Sequence, residues 1–113
     1  MSTLHDALNE LDAMTVRGDI LPALEKFYAG ACTFEEPDGS RRESRQAQHD
    51  HLSGFFASLK SFDGATLHGH AVGDDLTMSE FTFEMTSGEG EKIVWNEILV
   101  RRWSGGQVSS EKF

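Results

Sequence analysis

The apolar residues of this chain change their period once, and that change limits the fold more than any other feature. Through residues 4–59 they recur at helical spacing with one short interruption, and through residues 65–113 they alternate as in strands. Helical segments gathered at one end and strands at the other predict an α+β architecture, with three N-terminal helices packed on one face of a mainly antiparallel sheet.

The local signals agree with that division. Thr3 with Asp6 three residues later has a capping-box pattern, and Leu4, Leu8, Leu11 and Met14 supply the first apolar stripe. Gly18 stops this helix and Asp19 starts a second, with Pro22 tolerated in its first turn. Leu21, Leu24, Phe27 and Tyr28 form the buried face of the second helix, and Gly30 closes it. Residues 32–36 read as a short strand ending in the turn Pro37-Asp38-Gly39. Ser44 caps a third helix carrying Leu52, Phe55, Phe56 and Leu59. Strands are expected over 65–72, 76–86, 92–103 and 107–113, separated by Gly73-Asp74-Asp75, residues 87–90 and Gly105-Gly106.

A chain of 113 residues, free of repeats and linkers, is expected to form one domain over 1–113. Its net charge of −9, from 19 acidic and 10 basic residues, repels phosphate backbones and argues against nucleic acid as a partner. The basic clusters Arg41, Arg42 and Arg45, and Arg101 and Arg102, are too short to act as a footprint. No basic amphipathic helix favours a membrane surface, and no run approaches the roughly 18 apolar residues of a membrane span. Residues 1–10 lack the blocks of a signal peptide, and the single cysteine, Cys32, has no internal partner, so a cytoplasmic location is expected. His68 and His70 share a strand face by alternation, whereas His49 and His51 do not share a helix face. No further ligand spacing completes a metal site, so neither a metal nor a cofactor is expected.

Alternation also picks out a candidate site. Cys32, Phe34 and Glu36 share one face of the first strand, which carries Glu36 inward at the strand's end. A carboxylate at the mouth of an apolar pocket has its pKa raised, which suits proton transfer; the other reading is that Glu36 only caps the turn beside Pro37. In the 76–86 strand Phe81, Phe83 and Met85 share a face opposite Glu80, Thr82 and Glu84. The next strand is apolar on both sides, with Ile93, Trp95 and Leu99 on one and Val94, Ile98 and Val100 on the other. Helices in so small a domain cover one face, so the second is expected to meet another subunit in a homodimer through the sheet.

The run from Gly18-Asp19-Ile20 through Phe27-Tyr28 to Cys32-Thr33-Phe34-Glu35-Glu36-Pro37-Asp38-Gly39 resembles the SnoaL-like polyketide cyclase and ketosteroid isomerase branch of the nuclear transport factor 2-like superfamily. Residues 94–103 followed by Gly106-Gln107-Val108 are similar to that branch's penultimate strand, turn and last strand. The resemblance implies a curved sheet forming a cone around one pocket, the cystatin-like arrangement, for a small apolar or carbonyl-containing molecule. It implies a pocket lined by Leu11, Phe27, Phe34, Phe55, Trp95, Leu99 and Arg101, and it places the steroid isomerases' general base at Glu36. Leu11 and Leu99 fall where those enzymes carry their two oxyanion donors, so steroid isomerisation is not expected. Glu97 is either a second acid or ligand acceptor in the pocket, or a surface charge. A four-residue turn at 87–90 sets Glu80 opposite Glu97, in conflict with a core face built on Phe81 and Phe83; an odd-length loop or a bulge removes the conflict. Two functions remain open: proton-transfer chemistry of an isomerase, cyclase or hydrolase-like kind through Glu36, or a non-catalytic ligand-binding or dimerisation module. Phe113 ends inside an expected strand, which leaves a further C-terminal segment open.

Overall fold

A computed structural model of the chain describes residues 3–113; Met1 and Ser2, the start of the expected N-terminal helical segment, lie outside the described residues. Helix α1 (Leu4–Val16) opens on the reciprocal Thr3–Asp6 capping box, which satisfies two N–H groups that no helical carbonyl can reach. Gly18 ends it in the left-handed region, at φ 83°. Helix α2 (Ile20–Phe27) follows, then strand β1 (Tyr28–Glu35) and the two-residue strand β2 (Arg41–Arg42). Helix α3 (Arg45–Ser58) starts at Ser44, whose hydroxyl accepts from the Ala47 N–H. Strands β3 (Leu59–Val72), β4 (Leu76–Ser87), β5 (Lys92–Ser104) and β6 (Gln107–Lys112) complete the chain. The sheet order is β2-β1-β6-β5-β4-β3, antiparallel except where β1 runs parallel to β6. Three helices on a six-stranded mixed sheet make the fold α+β.

Two boundaries differ from the sequence reading, and both yield to strand pairing. Tyr28 and Gly30 do not finish α2. Tyr28 is already extended, at φ −103° and ψ 136°, because it pairs with Val108 of β6. Strand β3 begins at Leu59 rather than at 65, since Leu59 and Phe62 find partners in Ser87 and Met85 at the far end of β4. Neither pairing is a local property, so helical periodicity through Tyr28 and Leu59 gives no warning of it.

The core gathers Leu8 and Leu11 of α1, Leu24 and Phe27 of α2, and Cys32 and Phe34 of β1 against Trp103 and Val108. Each fully buried large side chain among these stabilises the fold by roughly 1.5–3 kcal/mol. Between β4 and β5, Thr86 pairs with Lys92, so residues 87–91 form a connection of odd length. Phe81 therefore stands opposite Glu97, and Phe83 opposite Trp95, on the inner face. The sets that a four-residue turn would have separated lie together. No helix among the described residues is long and apolar enough to cross a membrane.

Candidate functional site

The inner faces of β3, β4 and β5, with α3 and the segment after β1 laid against them, leave a cavity of about 580 Å3. Its walls are aromatic. Phe55 and Phe56 come from α3, Phe62 from β3, Phe83 from β4 and Trp95 from β5. Phe55 and Trp95 stack at 5.2 Å between ring centres with planes 19° apart, an offset geometry favoured by the ring quadrupoles. Leu11 and Leu99 also border the space, and neither has a polar hydrogen to offer.

Of the residues that the resemblance assigns to a pocket, Leu11, Phe55, Trp95, Leu99 and Arg101 border the cavity. Phe27 and Phe34 do not. Phe27 closes the α2 side of the core, and Phe34 stacks on Tyr28 at 5.7 Å within it.

The rim carries Glu36, Asp38 and Arg42. Glu36 lies just past the end of β1 and accepts a hydrogen bond from Arg42 Nη2, while Arg42 Nε donates to Gln48. Ser40 donates backbone and side-chain hydrogen bonds to Asp38, and these hold the Asp38 carboxyl below its ordinary pKa. Glu97 differs from both. It is half-buried on the inner face of β5 and has no hydrogen-bond or ion-pair partner among the described residues. Burial pushes its pKa up to about 7, and the charges of Glu36 and Glu111 act in the same direction. Of these three carboxyls, Glu97 is the one that borders the cavity without a partner.

The buried end of the cavity is polar. Arg101 is 1% exposed. Its Nε donates to Glu111 Oε2 at 2.8 Å and to the Tyr28 hydroxyl at 3.0 Å, and its Nη1 donates to Asp12 Oδ1 at 2.9 Å. Tyr28 donates in turn to Glu111, and Ser79 donates to Asp12 Oδ2 at 2.7 Å. Burial raises the Tyr28 phenol well above its ordinary pKa despite the facing guanidinium. Burial alone would lower the Arg101 pKa, but the charges of Tyr28, Glu111 and Asp12 outweigh it and raise the value. Tyr28, Arg101 and Glu111 all border the cavity.

Sequence reading missed Asp12, Tyr28 and Glu111. Asp12 had a signal: it follows Leu8 by four residues and Leu11 by one, and so sits on the apolar stripe of α1. Tyr28 was hidden by the helical spacing of α2. Glu111 was hidden by a bulge between Arg102 and Trp103, which turns both Val108 and Glu111 inward although they are three residues apart. A second bulge, between Leu67 and Gly69, separates the strand histidines. His70 Nδ1 meets Asp12 at 3.1 Å on the inner side, whereas His68 Nε2 meets the Thr82 hydroxyl at 2.6 Å on the outer side, so the two do not share a face. Among the described residues, no group of three or more His, Cys, Asp or Glu side chains is placed to hold a metal ion. Cys32 is buried in the core, and burial pushes its thiol up to about 12, which leaves it unreactive.

Neither a protein-family model nor a curated protein sequence matches this chain. Solved structures do. A protein described as a SnoaL-like polyketide cyclase from Mesorhizobium loti superposes with a TM-score of 0.85 at 20% identity, over 99% of this chain and 98% of that one. An NTF2-like protein of unknown function from Burkholderia pseudomallei gives 0.82 at 14% identity, over 99% and 89%. A protein with a ketosteroid isomerase-like fold from Catenulispora acidiphila, crystallised with trimethylamine, gives 0.77 at 14% identity, over 97% and 85%. The chain has the fold that these SnoaL-like, NTF2-like and ketosteroid isomerase-like proteins share.

Proposed function

We propose that the cavity is a binding pocket for a small apolar, carbonyl-containing molecule, and that Glu97 moves a proton to and from the carbon next to that carbonyl. One observation carries this reading: a carboxyl with a pKa of about 7 and no partner among the described residues faces a space walled by aromatic rings. A base is most effective when its pKa lies near the working pH, and burial brings Glu97 there. Glu36, held by Arg42 at the rim, is assigned to orienting the ligand and to raising Glu97 by its charge.

The test uses a generic ketone. In deuterium oxide, 2-tetralone exchanges the protons beside its carbonyl through the enol, and proton NMR follows their loss. Ionised Glu97 takes one proton as the C–H electrons move into the enolate, and the acid returns a deuteron after exchange with solvent. The exchange rate above buffer is expected to rise with pH through a midpoint near 7 and to vanish in Glu97→Gln. Equal exchange in that variant, or none above buffer in the parent, sinks the proposal.

The outer face of the sheet supports a second element of the reading, a homodimer. Val94, Ile98 and Met78 are 54%, 53% and 42% exposed and point away from the helices, on the face where Glu84 and Glu80 stand opposite Val94 and Ile98. The His68–Thr82–Asn96 hydrogen-bonded ladder crosses the same face and supplies polar contacts within it.

A further inference from the structure

We infer that the buried end of the cavity is a receptor for a neutral oxygen atom, with Arg101 as its donor, and that this end rejects carboxylate ligands. The inference rests on the pocket reading above and deepens it by naming the polar group of the ligand and its charge.

A guanidinium has five N–H groups on three nitrogens. Arg101 uses Nε on Glu111 and Tyr28, and Nη1 on Asp12 and Ser79. Nη2 has no partner among the described residues. The side chain is 1% exposed and borders the cavity, so a partner for Nη2 would come from a molecule held in that space. A charged donor left open at the end of an apolar cavity calls for an acceptor, because an unmet buried donor costs roughly 1–3 kcal/mol or more.

The charge around Arg101 decides what kind of acceptor fits. Asp12 and Glu111 both contact the one guanidinium, so its charge is already more than balanced. Glu36 and Asp38 add further negative charge at the rim, and Glu97 adds its own above its pKa of about 7. A ligand carboxylate would enter a field set by five carboxyl groups and two arginines, and in this low-dielectric setting the like charges oppose it. A ketone, aldehyde or amide oxygen accepts from Nη2 without bringing charge. Tyr28 stays committed to Glu111 and helps hold the guanidinium in place.

Position is consistent with the chemistry. Glu97 and Arg101 lie four residues apart on the same inner face of β5, about 13 Å between Cα atoms at strand rise. Their side chains reach into one cavity from two ends, with Leu99 between them. A flat ligand lying over Leu99 places its oxygen at Arg101 and a neighbouring carbon toward Glu97. The position that resembles a lost oxyanion donor, Leu99, is flanked by a donor two residues further along the strand.

Three matched probes test this on the intact protein: 2-acetonaphthone, 2-ethylnaphthalene and 2-naphthoate, each titrated while Trp95 fluorescence and amide chemical shifts are followed. The ketone is expected to bind about tenfold tighter than the hydrocarbon, as a net hydrogen bond to a charged group allows, and at least about tenfold tighter than the carboxylate. In Arg101→Lys, which keeps the charge and removes Nη2, the ketone's advantage over the hydrocarbon is expected to disappear while the hydrocarbon still binds. A readout on the unaltered protein covers the case in which that variant fails to fold. The infrared carbonyl stretch of bound, 13C-labelled 2-acetonaphthone should lie below its value in water. Equal affinity of ketone and hydrocarbon, tighter binding of 2-naphthoate, or a carbonyl stretch at its hydrocarbon-solvent value overturns the oxygen receptor but leaves the apolar pocket standing. Binding of none of the three overturns both.

Discussion

Replacing Asp12 by alanine should be among the most damaging single changes to this fold, although Asp12 carries a charge and lies on a helix. The side chain is 1% exposed and accepts from Arg101 at 2.9 Å, Ser79 at 2.7 Å and His70 at 3.1 Å. Its removal leaves a guanidinium, itself 1% exposed, with one carboxylate instead of two and strands the Ser79 hydroxyl. Breaking a buried pair from one side costs about 3–5 kcal/mol, here because Arg101 Nη1 and the Ser79 hydroxyl stay buried without the carboxylate that accepted from them. Domains of this kind are stable by about 5–15 kcal/mol in total, so the variant loses about a fifth or more of what holds it folded. At about 4 °C per kcal/mol for a chain of this size, Tm should fall by about 12–20 °C.

Urea denaturation followed by tryptophan fluorescence measures this directly, with the parent's m value as the check that both proteins unfold the same surface. Asp19→Ala is the control. The Arg17–Asp19 pair is half exposed on each side and is worth about 1 kcal/mol or less. Asp12→Asn should fall between the two, since its amide oxygen still accepts from Arg101. A loss below about 1 kcal/mol for Asp12→Ala would refute the reasoning, because it would mean that the guanidinium is solvated or finds a new partner at no cost.

Two further outcomes follow from other groups. Glu97 has a folded-state pKa of about 7 against an ordinary 4.5, so the folded protein holds this proton more tightly than the unfolded chain does. Its contribution to stability is therefore full below about pH 4.5 and declines as pH rises to about 7. Glu97→Gln should remove that decline, and an unchanged slope of urea midpoint against pH would count against a buried, protonated Glu97. On the outer face, Ile98→Lys places a charge in the proposed dimer contact and should shift sedimentation toward monomer at micromolar protein. A parent protein that is already monomeric under those conditions ends the dimer reading.

The parts of the fold that could be read from the sequence are those in which one period and one terminator act over a few residues. The Thr3 cap, the Gly18 stop, the Ser44 cap and the alternation of β4 and β5 are of this kind, and the structure reproduces each. Tyr28 and the first residues of β3 are of the other kind, since what makes them strand is a partner far along the chain. The candidate site divides in the same way. That Trp95, Glu97, Leu99 and Arg101 share a face follows from alternation within one strand, but which face it is depends on the odd connection at 87–91, which brings Phe81 and Phe83 onto their side. Phe27 and Phe34, which the resemblance sets at a pocket, lie in the packed core instead, because a family pattern gives the inward side and does not tell a packed core from a cavity within the same interior.

The polar end of the cavity shows why that last distinction needs the whole fold. Its four members come from α1, β1, β5 and β6, and no two of them are within nine residues in sequence. The parallel pairing of β1 with β6 brings the two strands bearing Tyr28 and Glu111 side by side, and Arg101 stands directly across from Glu111 on β5. A bulge then turns Glu111 inward, against simple alternation from Val108. Were β6 regular, Glu111 would face out, Arg101 would lose one of its two carboxylates, and the Tyr28 hydroxyl would lose its acceptor. An arginine facing Asp12 alone would be free to draw an anionic ligand to this end. The bulge at Arg102 and Trp103 thus fixes the charge of the cavity's buried end, and with it the preference for a neutral oxygen.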